Sequence, residues 1–264
     1  NSCRRGGGSK SASAAGAPKG PKMENKRAIS QYTADFLLAS ANLSRPVRSV
    51  LVEGADPGGV RPQTVIDALP SGRERKGAQR ALQNEGAVVN APTALSSEQC
   101  AALREWAGQT RLGTPGEQLL DSVDGCPEFQ VDISREELEK VVGAEAVEGL
   151  WQLPRLLPGG EEWPGEWSRV TMFIRAYSVG GRPFIPFHTD TNAWTVNVAL
   201  SGDGDFGGGK LLCMYDGSLR EVPRQVGDAT CHGCDVAHGV SSMTRGERYS
   251  LIMFMDGKSK DKGP

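Results

Sequence analysis

The sequence has no apolar run approaching the ~20 residues that a membrane-spanning helix needs, so no segment reads as a bilayer span. It has no excess of one charge either. Thirty Lys and Arg stand against 32 Asp and Glu, a balance that marks neither a nucleic-acid nor a membrane-surface partner. Cysteine is too sparse for a disulfide scaffold. Cys3, Cys100, Cys126, Cys213, Cys231 and Cys234 are scattered, and no secretory apolar segment precedes them. They read as reduced thiols of an intracellular, cytoplasmic protein. Histidine is scarcer still: His188, His232 and His238 are the whole supply.

What is present suits one substantial domain with extensions. Hydrophobic residues make up 38% of 264, enough to bury a core. The chain opens on Asn1, and its first Met is Met23. Residues 1–29 carry seven Lys or Arg against the single acid Glu24. Their Gly, Ser and Ala content is that of a disordered tail, or alternatively of an organelle transit segment. Residues 30–85 form an extension without readable chemistry. Tyr32 to Ala41 suits a short helix, Gly54 to Pro62 has turn composition, and Ser71 to Lys76 reads as a charged, Gly-containing break.

Order sharpens at Gly86. Ala87-Val88-Val89 reads as a short strand. Ser96 with Gln99 makes a capping box for a helix whose stripe is Cys100, Leu103 and Trp106 or Ala107, ending at Gly108. Ser134 with Glu137 opens another, with Leu138, Val141 and Val142 toward the core, interrupted at Gly143 and resumed over Ala146 to Trp151. Trp163 and Trp167 lie in a Glu- and Pro-rich loop that would suit a substrate-side flap. From Val170 the pattern turns to short strands between Gly and Pro turns: Val170–Tyr177, Trp194–Leu200, Lys210–Tyr215, Arg224–Cys231 and Tyr249–Met255. Helices followed by such strands predict a sandwich or barrel flanked by helices.

His188-Thr189-Asp190 places two ligand-type side chains at i and i+2, on one face of an extended strand. A third ligand from a distant strand would complete two imidazoles and a carboxylate on one side of a metal. That set leaves positions open for a co-substrate and O₂, as non-haem Fe(II) oxygenases require. His238 follows 48 residues later, and Arg248 ten residues after that. Arg248 enters a strand otherwise built from Leu251, Ile252, Met253 and Phe254. A charge buried there needs a partner, and a carboxylate gripped by two parallel bonds supplies one.

These pieces carry a resemblance. Arg175-Ala176-Tyr177, Phe187-His188-Thr189-Asp190, Val196–Leu200, Gly207-Gly208-Gly209-Lys210-Leu211, Gly227-Asp228-Ala229, Ala237-His238-Gly239-Val240 and Arg248-Tyr249-Ser250-Leu251 stand in order over about 80 residues. In that order and spacing the segment resembles the catalytic core of the 2-oxoglutarate/Fe(II)-dependent dioxygenase superfamily, prolyl 4-hydroxylase type. The resemblance implies a mainly β domain over residues 86–256, a double-stranded β-helix (jelly roll) with flanking helices, followed by a flexible tail over 257–264. It implies His188, Asp190 and His238 as iron ligands, Arg248 as the partner of the distal carboxylate of 2-oxoglutarate, and Tyr177 on the pocket wall. Asn197 and Ile252 face the same cavity by strand parity. It further implies Fe(II), the co-substrates 2-oxoglutarate and O₂, ascorbate as reductant, and hydroxylation of a C–H bond in a peptide or small molecule, such as a peptidyl proline, with release of succinate and CO₂.

Rival readings have their own signatures. Arg248 could instead close an internal salt bridge with Glu247 or Asp228. Arg245, in the turn before the strand, is the rival anchor and reads as solvated. Cys231-His232-Gly233-Cys234 has the outline of a metal knuckle but lacks a second ligand pair; its cysteines would sit near the barrel mouth. A nucleic-acid dealkylase of the same superfamily often carries a second Arg six residues after the first, where this chain has Phe254, and no basic patch interleaves with aromatics. A catalytically silent jelly-roll module would have lost a ligand or the anchor, and all four groups are present.

Overall fold

The computed structural model describes residues 35–113, 120–160 and 167–257. The basic tail at 1–29, residues 258–264 and Trp163 lie outside the described residues. Among the described residues, no helix is long and apolar enough to cross a membrane.

Residues 35–41 are helical (α1), and three more helices follow: α2 (Arg45–Leu51), α3 (Pro62–Ala68) and α4 (Gly72–Gln83). Pro46 and Pro62 sit in the first turns of α2 and α3, where no intrahelical N–H is needed. α4 overturns the expected break at Ser71 to Lys76. The Ser71 hydroxyl accepts the Glu74 N–H at 3.1 Å, and the Glu74 carboxylate accepts the Ser71 N–H at 2.8 Å. This reciprocal box satisfies two otherwise orphaned donors and lets a helix start inside a charged, Gly-containing stretch. Gly77 then lets α4 press against Asp235, where a Cβ would collide with the carboxylate.

Strand β1 (Val88–Ala91) precedes α5 (Ser97–Gly113). Its Ser96–Gln99 capping box forms as expected. The helix does not stop at Gly108; it continues to Gly113. Nothing lies within 4 Å of a Cβ placed on Gly108, so this glycine is neither a cap nor a close contact, and it costs the helix only propensity. β2 (Gln130–Asp132), α6 (Arg135–Val142) and α7 (Ala144–Gln152) follow. Ser134 and Glu137 cap α6, and Gly143 at φ 89° ends it.

The remaining strands are β3 (Trp167–Ser178), β4 (Ile185–His188), β5 (Trp194–Ala199), β6 (Gly207–Gly208), β7 (Leu211–Tyr215), β8 (Ser218–Glu221), β9 (Ala229–Gly233), β10 (His238–Val240), β11 (Met243–Arg245) and β12 (Glu247–Gly257). They build a six-stranded sheet in the order β1-β9-β5-β12-β3-β2 and a four-stranded sheet β4-β10-β7-β8, with β11 and β6 as a separate pair. All named pairings are antiparallel. The architecture is the expected jelly roll with flanking helices.

Strand parity explains its layers. On β12, Leu251, Met253 and Met255 join Met172, Ile174, Val196 and Val198 in a cluster with Cys100, Leu103, Leu138 and Leu150 from the helices. The alternate residues of the same strands point the other way, between the sheets. Both faces of the six-stranded sheet are therefore covered, and its central strands read as apolar runs. On the outer side of the smaller sheet, Val47, Leu51, Val65, Leu69 and Leu82 pack with Phe187, Leu212, Met214 and Ala237. Helices α2, α3 and α4 are thus the cover of that sheet. Without them Phe187, next to His188, would face water.

Candidate metal centre

His188 ends β4 and His238 begins β10, and antiparallel pairing sets the two directly opposite each other. Their ring centroids are 4.3 Å apart. Asp190 lies just past the end of β4. Its Oδ1 is 3.7 Å from His188 Nε2, and its Oδ2 is 3.8 Å from His238 Nε2. Two donors each about 2.1 Å from one ion can be at most about 4.2 Å apart, so both separations suit a shared metal. Among the described residues, this is the set of His, Cys, Asp or Glu whose ligand atoms converge, all within 4.8 Å.

The surroundings prepare these groups as ligands. His188 Nδ1 is 2.9 Å from the Pro186 carbonyl oxygen, and His238 Nδ1 is 3.1 Å from that of Val236. A carbonyl only accepts, so each Nδ1 carries the proton and each Nε2 presents a lone pair. Burial holds both imidazoles below their usual pKa, His238 at about 4, so they stay neutral at pH 7. Burial works to raise the Asp190 pKa, but His238, His188 and His232, with the Thr195 hydroxyl, hold it low. That hydroxyl donates to Asp190 Oδ2, and Asn192 Nδ2 donates to Thr195 Oγ1 at 3.1 Å.

From the metal side a narrow cavity of about 30 Å³ runs between the sheets, lined by Phe173, Arg175, Tyr177, Asn197, Ile252 and Phe254 among others. Arg248 is 1% exposed and lies over the Tyr177 ring, 4.7 Å from its centroid. None of its three guanidinium nitrogens has a hydrogen-bond partner among the described residues. The neighbouring Ser250 Oγ, on the same strand face, is also buried without one. Neither candidate salt-bridge partner reaches Arg248. Glu247 accepts the Tyr249 hydroxyl, and Asp228 accepts the Thr93 and Gln225 N–H groups. Two other buried arginines have carboxylates: Arg175 meets Asp121 at 2.9 Å, and Arg182 meets Asp124 at 2.9 Å. Burial pushes the Arg248 pKa down, with Tyr177 and Asp203 opposing.

No family model and no curated protein sequence matches the chain. Solved structures do. A prolyl-4-hydroxylase of Pseudomonas putida superposes with a TM-score of 0.50 at 17% identity, over 66% of this chain and 95% of its own. A prolyl hydroxylase of Trichoplax adhaerens, solved with a peptide fragment of the hypoxia inducible factor oxygen degradation domain, gives 0.50 at 12% identity, over 71% and 94%. This chain has the prolyl hydroxylase fold.

Within the prolyl hydroxylase fold, the expected site residues divide as follows. His188, Asp190 and His238 converge, and Tyr177, Asn197 and Ile252 line the cavity beside them. Arg248 is buried against Tyr177, and Arg245 is exposed on β11. The Cys231–Cys234 segment does not form a knuckle. It runs off the end of β9, where Cys231 points into the helix-side core and His232 points the opposite way, and Cys234 lies past the strand. Cys231 is therefore not at the barrel mouth. The His232 ring lies tilted against that of His238, centroids 4.5 Å apart, a neighbour of the metal set that the knuckle reading concealed. Trp167 belongs to β3 and meets Trp194 edge-on at 5.6 Å, on the helix side and not in a flap. Arg224, read as part of a strand, stands in the loop before β9 with its side chain buried. Strand parity alone would have turned His232 inward; nothing in the sequence marked Arg224.

Proposed function

We propose that this chain is an Fe(II)- and 2-oxoglutarate-dependent oxygenase that hydroxylates a C–H bond, with a peptidyl proline as the leading substrate class. The observation that carries the reading is the pairing, within one sheet sandwich, of a converging His, Asp, His set with a fully buried arginine that no carboxylate among the described residues meets in an ion pair. A folded protein keeps a buried, unpaired guanidinium only where something outside the chain completes it.

In this reading His188, Asp190 and His238 hold the metal from one side. Arg248 receives the distal carboxylate of 2-oxoglutarate, Ser250 offers its unpaired hydroxyl, and Tyr177 braces the guanidinium. The metal with its co-substrate supplies the oxidising chemistry, with succinate and CO₂ as by-products. The chain supplies orientation, neutral imidazole donors and an apolar wall from Phe173, Ile252 and Phe254 that excludes water. Ascorbate is the reductant that belongs with this reading. Phe254 closes the cavity where a nucleic-acid dealkylase often places a second arginine, which favours a small side chain as the target. Residues 86–256 form the catalytic unit, and 45–83 support the sheet that carries both histidines.

The test is succinate release from 2-oxoglutarate across a panel of proline-containing peptides and free amino acids, with and without ascorbate. Release stimulated by proline peptides is the expected result. No stimulation by any of them removes the peptidyl-proline assignment, and no release under any condition removes the oxygenase reading.

A further inference from the structure

Arg248, set against the cavity residue Tyr177, is not the only buried arginine that touches the cavity wall. Arg224 is also 1% exposed. Its Nη1 donates to Asn197 Oδ1 at 2.9 Å, and Asn197 lines the cavity directly across from Ile252 of β12. Its Nε is buried without a partner, like all three nitrogens of Arg248. Burial first, then the charge of Arg248, pushes the Arg224 pKa down to about 9, which still leaves it cationic at pH 7.

The carboxylates nearby do not neutralise this pair. Asp203 is the one that acts on both arginines. Its Oδ2 accepts the backbone N–H of Arg224 at 3.1 Å and lies 3.6 Å from Lys210 Nζ, while its Oδ1 has no hydrogen-bond partner. Lys210 also meets Glu221 at 3.5 Å. Lys210 and Glu221 meet at the partly exposed side, so the buried pair Arg224 and Arg248 faces the single anion Asp203. The surplus is one positive charge, surrounded by unused donors and out of water. Two like charges held together in low dielectric repel strongly, and one carboxylate placed between them relieves the repulsion and fills the donors.

We propose that Arg224 is a second cation of the co-substrate pocket, forming with Arg248 a paired guanidinium anchor for the distal carboxylate of a dicarboxylic 2-keto acid. This rests on the reading of Arg248 given above and extends it: the pocket discriminates by charge at the far end of the keto acid, and Asn197 sets the second guanidinium in place. The alternative is that Arg224 only ties the Asp203 loop to the sheet.

Binding separates the two without turnover. The protein loaded with redox-quiet Mn(II) is titrated calorimetrically with 2-oxoglutarate and with 2-oxopentanoate, which replaces the distal carboxylate by a methyl group. Loss of a charge-assisted hydrogen bond predicts that Arg224→Met weakens 2-oxoglutarate by about tenfold to a hundredfold. Its affinity for 2-oxopentanoate should stay within about twofold, and Arg224→Lys should recover part of the loss. Should Arg224→Met fail to fold, Arg224→Lys is read on the same ratio, with a loss confined to 2-oxoglutarate. Equal weakening of both acids, or no weakening of either, overturns the paired anchor and leaves Arg248 untouched. A wild-type protein that binds both acids equally well refutes the Arg248 reading, and this one with it.

Discussion

Replacing Arg248 by Met should have opposite effects on the free and the liganded protein. In the free protein the guanidinium is 1% exposed, and none of its nitrogens is bonded. Methionine keeps an unbranched apolar stem and removes an uncompensated charge, so the ligand-free thermal midpoint should hold or rise. In the 2-oxoglutarate complex the same change removes one partner of a buried ion pair, a loss of about 3–5 kcal/mol, or roughly a hundredfold or more in affinity. With ligand at about 100 times the wild-type Kd, binding stabilises the native state by about 2.7 kcal/mol. A hundredfold weaker complex under the same conditions retains only about 0.4 kcal/mol. For a domain of this size each kcal/mol moves the midpoint by about 2–4 °C, so the ligand-induced rise should drop from roughly 5–11 °C to about 1 °C. The assay is a thermal melt of the Mn(II)-loaded protein with and without 2-oxoglutarate. Arg245→Ala, on the exposed rim, is the control and should behave as wild type. A free Arg248→Met protein that melts well below wild type would show that the guanidinium has an internal partner. A full ligand-induced shift in the variant would show that the carboxylate binds elsewhere.

Two further outcomes follow from the contacts around the site and at α4. His238 and His232 are held neutral by burial, each near pKa 4 against 6.5 when exposed, and His188 is shifted the same way. Between those values the unfolded chain binds protons that the folded one does not, so the metal-free midpoint should fall as pH drops from about 6.5 toward about 4. His232→Gln should flatten that slope; an unchanged slope would mean His232 does not contribute. Ser71→Ala removes the box that starts α4 and should cost about 1 kcal/mol, or about 2–4 °C in midpoint. Metal affinity, measured by calorimetry, should stay unchanged, because α4 packs on the outer side of the sheet; a weakened metal site would place α4 in the site itself.

The parts of this molecule that can be read from sequence share a physical cause: each follows from short-range spacing. Parity along β12 is enough by itself to separate Arg248, Ser250 and Ile252 from Leu251 and Met253, and the His188–Asp190 spacing works the same way. The capping boxes at Ser96 and Ser134 are equally local. Ser71 and Glu74 have that spacing too, but the surrounding charges and Gly72 and Gly77 hide it. The helices α2 and α3 are seven residues each, too short to show a periodic stripe, and their apolar face is defined only by the sheet they cover. His232 is obscured because adjacent cysteines suggest a knuckle, although the strand turns Cys231 and His232 to opposite sides. Arg224 carries no local signal at all, because its position depends on the fold bringing the loop before β9 against Asn197 and Asp203, 27 and 21 residues away.

The central claim is that one site binds Fe(II) and 2-oxoglutarate together through His188, Asp190 and His238. Anaerobic addition of both to the metal-free protein, followed in the visible spectrum, tests it most directly. A weak charge-transfer absorption should appear only when both are present, and should be lost in Asp190→Ala and in His238→Ala while Arg245→Ala retains it. A spectrum that stays blank with both at saturation, or that survives His238→Ala and disappears in His232→Ala, contradicts the assignment.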